Sequence, residues 1–187
     1  GTGIVLPSHF TERKITDPST ARDAINDVAD TLGIVSVEDE LGTADCSTVL
    51  GDTYYSFPQV YRGIPVYGRK VTVSADADSE AALLTSGFYP IENLSVEAKI
   101  TQNDAEKIVA GLYPGEADIY VNNLVIFSLD KTNPELAWKI SVHQNNSWES
   151  VFLSAVDGRA LKTFSNELTD NESSSNRFTN VYLYNAE

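Results

Sequence analysis

Along residues 54–73 the chain alternates between side chains fit for burial and side chains fit for solvent. Tyr55, Phe57, Gln59 and Tyr61 share one face of a first run, and Tyr67, Val71 and Val73 share a face of a second, the two-residue period of a half-buried strand. Arg62-Gly63 stands between the runs, so Tyr54 to Arg69 predicts a β-hairpin. Pro58 and Pro65 cannot donate to a ladder, and each is expected at an edge, a bulge or a strand's first residue. Upstream the period becomes helical: Asp17 can cap, Pro18 suits a first turn, and Ala21, Ala24, Ile25, Val28 and Leu32 follow at helix spacing until Gly33. Gly1 to Thr16 has no pattern long enough to assign, although Phe10 and Ile15 are candidates for packing. Ser36 to Asp52 predicts a loop around Cys46, with room for one short strand at Thr48 to Leu50.

Beyond the hairpin, a third strand at Ala82 to Tyr89 follows the turn-rich Asp76 to Ser79 and completes a meander. Pro90 to Lys99 lacks periodicity and is a candidate boundary. Thr101, with Asp104 three residues on, then starts a second helix whose apolar stripe is Ala105, Ile108, Val109 and Leu112 and which Pro114-Gly115 stops. Four strands are expected at Ile119 to Leu129, Leu136 to His143, Trp148 to Val156 and Arg159 to Phe164, with turns at Asn145-Asn146 and Asp157-Gly158. The order helix, then antiparallel strands, thus occurs twice. Two α+β units follow from it, each laying one helix on a curved antiparallel sheet. The tail turns polar from Asn166 to Arg177, as a protease-sensitive linker would, before Phe178, Val181, Tyr182, Leu183 and Tyr184 restore an apolar pattern.

Composition narrows the partners. With 187 residues the chain can bury a real core. Its 13 basic and 27 acidic residues leave a net charge of -14, which disfavours nucleic acid and anionic membranes and suits a basic partner surface. No run approaches a membrane span, and no basic-then-apolar signal pattern opens the chain, so an exported protein would already have lost its signal. A single cysteine, Cys46, excludes an intrachain disulfide.

The search for catalytic chemistry is mostly negative. Zinc hydrolysis on a helix needs two histidines one turn apart with a glutamate between them, and this chain has only His9 and His143, with no His-Glu-x-x-His. No Gly-x-Ser-x-Gly accompanies either one. A Cys46–His143 pair is open geometrically, against the commoner role of a free cysteine as a small buried hydrophobe. Gly111 to Gly115 follows a helix and makes no phosphate cradle. Gln59 and Arg69 are polar residues on a face otherwise aromatic and aliphatic, which means a buried hydrogen-bonded pair or a recognition surface. His143 reads as a solvated turn residue. Glu38-Asp39-Glu40 and Asp76 to Glu80 read as solvated loop charge without the spacing of an EF-hand, and Asn93, Asn145 and Asn171 begin short glycosylation sequons.

The run Phe57-Pro58-Gln59-Val60-Tyr61-Arg62-Gly63-Ile64-Pro65-Val66-Tyr67-Gly68 resembles the fungalysin/thermolysin propeptide motif, Phe-x-Gln-x-Tyr-x-Gly-Ile-Pro-Val-Phe-Gly. Phe57, Gln59, Tyr61, Gly63, Ile64, Pro65, Val66 and Gly68 match it, and Tyr67 takes the aromatic slot. Downstream, Leu136-Ala137-Trp138-Lys139-Ile140-Ser141-Val142, Trp148 to Ala155 and Asp157-Gly158-Arg159-Ala160-Leu161 resemble a PepSY domain, with Ser154 where that family commonly carries aspartate. The resemblance implies an α+β, cystatin-like pair: residues 1–95 as the propeptide-motif unit, 96–166 as the PepSY-like unit, and 167–187 as a linker leading toward a mature protease chain. It further implies a non-enzymatic, secreted (extracellular or periplasmic) propeptide that chaperones and inhibits a cognate thermolysin-like zinc metalloprotease. Zinc, with calcium, would reside in that protease domain, and no cofactor in this segment. Gln59, Tyr61, Arg62 and Arg69 are the interface candidates. The alternative is a free-standing secreted peptidase inhibitor or protein-binding module.

Overall fold

The computed structural model describes residues 3–128 and 133–166. The expected linker and start of a mature chain at 167–187, including Asn171, lie outside them. The chain divides into two compact α+β units, Gly1–Glu92 and Asn93–Glu187.

In the first unit β1 (Ile4–Leu6) is followed by α1 (Pro18–Asp27), α2 (Ala29–Leu32) and α3 (Val37–Glu40), then β2 (Asp45–Val49), β3 (Asp52–Tyr61), β4 (Ile64–Ala75) and β5 (Ala81–Ser86). The strands pair antiparallel in the order β1-β5-β4-β3-β2. Helix α1 starts where Asp17 accepts the Thr20 N–H and the Thr20 hydroxyl receives the Asp17 N–H, a reciprocal cap that holds the Asp17 carboxyl below its usual range. Ala21, Ala24 and Ile25 turn inward to join Ile15, Leu32, Tyr55, Phe57, Val71, Val73 and Leu84 in the core.

Several expectations are corrected in this unit. The single helix to Gly33 is interrupted at Val28, where the backbone leaves helical geometry (φ -119°, ψ 17°), and Gly33 caps the second piece in the left-handed conformation. Ser36 to Asp52 is no simple loop, since Ser36 caps α3, Glu40 accepts from the backbone N–H of Val35 and Ser36, and β2 follows. Glu40 is therefore not merely solvated charge. The lead contains strand β1, and the third strand ends at Ser86 instead of Tyr89.

The second unit holds α4 (Gln102–Leu112), β6 (Asp118–Phe127), β7 (Glu135–Gln144), β8 (Ser147–Ser154) and β9 (Ala160–Ser165), an antiparallel meander among the described residues. Thr101 accepts the Asp104 N–H at the start of α4, and Ala105 and Val109 pack on Ile140, Val142, Val151 and Leu153. Leu112, expected in the stripe, is 52% exposed because it stands on the last turn beyond the sheet. The Trp138 indole N–H donates to the Ile100 carbonyl at 2.8 Å and ties the helix entry to β7.

Gly158 closes the β8–β9 turn with φ +78°, and a Cβ there would meet Ile108 Cδ1 at 2.9 Å. Gly158→Ala should therefore cost about 2 kcal/mol, combining left-handed strain with displacement of Ile108. Urea unfolding checks it; an unchanged midpoint would show that turn and helix yield freely.

Candidate functional site

The hairpin of β3 and β4 carries every residue of the propeptide-motif resemblance, Phe57 to Gly68, and its shape follows from three glycine-dependent or proline-dependent points. Arg62 and Gly63 have φ of 48° and 82°, the two positive values that a type I′ turn requires and that match the twist of paired strands. Register shifts between Pro58 and Val60, so the missing N–H of Pro58 falls beside a bulge as expected. Gly68 takes φ +74° on the opposite strand within the same irregularity. Because the bulge changes parity, Val66 and not Tyr67 is the buried residue of the early β4, with Tyr67 half-buried.

Each motif side chain then has a place. Phe57 is fully buried, and the Arg22 guanidinium lies 5.0 Å from its ring centroid. Arg22 in turn donates to the carbonyls of Val37, Leu41 and Gly42, which fastens α1 to the chain leading into β2. Gln59 is 2% exposed, and its amide spans the backbone of Tyr89: Nε2 donates to the Tyr89 carbonyl at 2.7 Å and Oε1 accepts the Tyr89 N–H at 2.9 Å. Arg69 reaches the same segment, donating to the Gly87 carbonyl at 3.3 Å with its guanidinium 5.3 Å from the Tyr89 ring. Gln59 and Arg69 thus converge on residues 87–89 instead of pairing with each other. A buried Gln59 presents no amide to a partner, which corrects its place among the interface candidates. Tyr61 and Arg62 remain at the accessible end, with the guanidinium 5.4 Å from the Tyr61 ring.

The other singled-out residues belong to different elements. Cys46 is exposed on β2, in the first unit, and His143 belongs to the second. His143 is a β7 residue and not a turn residue: its Nδ1 is 3.5 Å from an Asp118 carboxylate oxygen and its ring is 4.7 Å from Trp148. Trp148 also meets Tyr120 at 5.8 Å, a row of partly exposed rings that alternation alone does not single out. Ser154, in the slot where aspartate is common, is buried and its hydroxyl accepts the N–H groups of Val156 and Asp157, so it supplies the turn's acceptor without a charge. On the helix side Tyr113 donates to Glu149 at 2.5 Å; burial first, and then this carboxylate, push the phenol up. Among the described residues no group of three or more histidine, cysteine, aspartate or glutamate side chains is arranged to hold a metal ion, and no helix is long and apolar enough to cross a membrane.

Residues 45–88 match the family model of the Fungalysin/Thermolysin Propeptide Motif, a motif of protease propeptides. The matched span is roughly a quarter of the chain, from the first residue of β2 to just past β5. No curated protein matches the chain. Among solved structures, the Bacillus megaterium YpeB C-terminal domain is similar at 16% identity and a TM-score of 0.44, over 82% of this chain and 68% of that one. A Clostridium difficile 630 protein assigned as a lipoprotein is similar at 17% identity and a TM-score of 0.31, over 86% of this chain and 99% of that one.

Proposed function

We propose that this chain is the propeptide of a thermolysin-like zinc metalloendopeptidase, acting as chaperone and inhibitor of the protease domain until processing. The match of residues 45–88 to the propeptide motif is the observation that carries the reading. The net charge of -14 supports a basic partner surface and argues against nucleic acid. A propeptide that prefers the native-like or transition-state form of the protease stabilises it by mass action and lowers its folding barrier, and it blocks the cleft while it stays bound. Zinc and calcium belong to the protease in this account, and the site of action is extracellular or periplasmic. The PepSY-like character of residues 96–166 enters as part of the same proposal.

The cleft-directed element would be the segment after β9, outside the described residues, occupying the active site in the manner of a substrate. Truncation at Asn166 tests it without damaging the sheet, because the Asn166 N–H still donates to the Trp148 carbonyl and its side chain to Ser150. Full-length chain should inhibit a purified thermolysin-like protease slowly and tightly, and the shortened chain at least tenfold less well, in hydrolysis of a small reporter peptide. Digestion of the full chain with no delay in reporter hydrolysis would favour a free-standing binding module.

A further inference from the structure

Strand β2 is a sheet edge almost without the features that ordinarily protect one. Edges present unpaired N–H and C=O groups, and soluble proteins blunt them with charge, proline, bulges, shortness or a covering element. β1 is three residues long and runs straight into Pro7. β9 carries Lys162 and pairs with β8 through a register shift. Beyond Asp45 at its start, β2 carries no charge, no proline and no bulge, and no second strand covers it among the described residues. Its five residues pair with β3 in unbroken register, every one of them is exposed, and β3 is its only strand partner among the described residues. From Cys46 to Gly51 the chain reads Cys-Ser-Thr-Val-Leu-Gly, with no charge and no proline.

The tip adds an independent anomaly. Leu50 and Gly51 have φ of 52° and 88°, a type I′ turn whose first position favours asparagine, aspartate or glycine. Leucine is disfavoured there, yet its side chain is 100% exposed and Val49 beside it is 52% exposed. Among the described residues nothing packs on Leu50 to offset that choice.

We infer that β2 is a docking edge and that its occupant is an extended strand of the protease, a conclusion that rests on the propeptide reading above. In a two-residue hairpin the pair flanking the turn, Val49 and Asp52, exchanges both backbone bonds, so Val49, Ser47 and Asp45 direct their amides toward β3. Cys46 and Thr48 consequently turn N–H and C=O to the open side. A strand laid against them completes the ladder, while Leu50 enters an apolar socket of the same partner. Charge argues against a second copy: each chain carries -14, and antiparallel β2 against β2 would bring Asp45 toward Asp52. A strand with neutral or basic flanks fits.

Two variants separate the terms. Thr48→Pro removes one outward N–H and leaves the β3 ladder intact, and Leu50→Asn keeps the turn while deleting the apolar contact. Affinity for a catalytically inactive thermolysin-like protease would be measured by calorimetry, with amide exchange at Cys46 and Thr48 followed by NMR. Protection of both amides on binding, at least tenfold weaker affinity for Thr48→Pro, severalfold for Leu50→Asn, and unchanged circular dichroism are the expected results. Tight binding by both variants with both amides unprotected overturns the docking edge and leaves the propeptide reading intact. No binding by the wild-type chain sinks both. Protection in the free chain that grows with concentration assigns the edge to a second copy, and protection lost on truncation at Asn166 assigns it to the chain's own tail; either result overturns the proposed occupant.

Discussion

Replacing Phe57 by alanine should lower stability by about 4 kcal/mol, the cost of emptying a fully buried aromatic site. The ring touches more than the apolar core around Ile25, Val71 and Leu84. It is also the surface on which the Arg22 guanidinium rests, and Arg22 holds three stretches of backbone through Val37, Leu41 and Gly42. Loss of the ring therefore frees the connection between α1 and β2 as well as opening a cavity. Phe57→Leu keeps most of the volume and should cost about 1.5 kcal/mol. Far-UV circular dichroism in urea measures both; tryptophan emission does not report on this unit, since Trp138 and Trp148 both lie in the other. A loss below about 1 kcal/mol for Phe57→Ala would mean that the core collapses into the space. The functional corollary is that this motif position acts through folding. Under the proposed function, an inhibitory defect in Phe57→Leu should disappear in stabilising osmolyte, where the folded population is restored.

The central hairpin is legible because its signals are local: alternation gives the strands, and Arg62-Gly63 gives a turn that needs two positive φ values. The strands of the second unit are legible for the same reason, to within about two residues at most ends. What escapes is set by contacts distant in sequence. β1 is three residues whose identity as a strand comes from pairing with Leu84 to Ser86. β2 is exposed on both faces, so it has no hydrophobic alternation to betray it. Counting by twos puts Tyr67 on the wrong side because a bulge at Pro58/Val60 shifts parity, and such counting assumes an unbroken ladder. The candidate site divides along the same line. Alternation puts Gln59 on the buried face, but nothing local announces that its partner is the backbone of Tyr89, thirty residues on. Pattern alone therefore leaves open a recognition role that burial removes.

Gln59→Ala should cost about 3 kcal/mol, because two hydrogen bonds are lost and the Tyr89 N–H and carbonyl are left facing a small cavity. Gln59→Leu restores the volume without the bonds, and a loss still above about 2 kcal/mol would assign the effect to the polar contacts. Gln59→Glu gives a sharper test through its pH dependence. Ionised, the new side chain could still accept the Tyr89 N–H but would set a carboxylate against the Tyr89 carbonyl, while the protonated acid can donate to that carbonyl and keep both bonds. The folded state then favours the neutral form and raises the pKa of the introduced carboxyl above its unfolded value of about 4.3. Stability from the protonated form is fully present below that unfolded value and is lost as pH rises through the folded one. Relative to wild type at each pH, the glutamate variant should gain stability as pH falls from about 7 toward 4, with Gln59→Leu showing no such gain. Parallel pH profiles for the two variants would mean that the amide contact is not what holds residues 87–89 against the hairpin. A glutamate profile that rises toward wild type at low pH would instead make the motif glutamine a fastening between β3 and the segment leaving β5, and would direct the search for protease contacts to Tyr61, Arg62 and the open edge of β2.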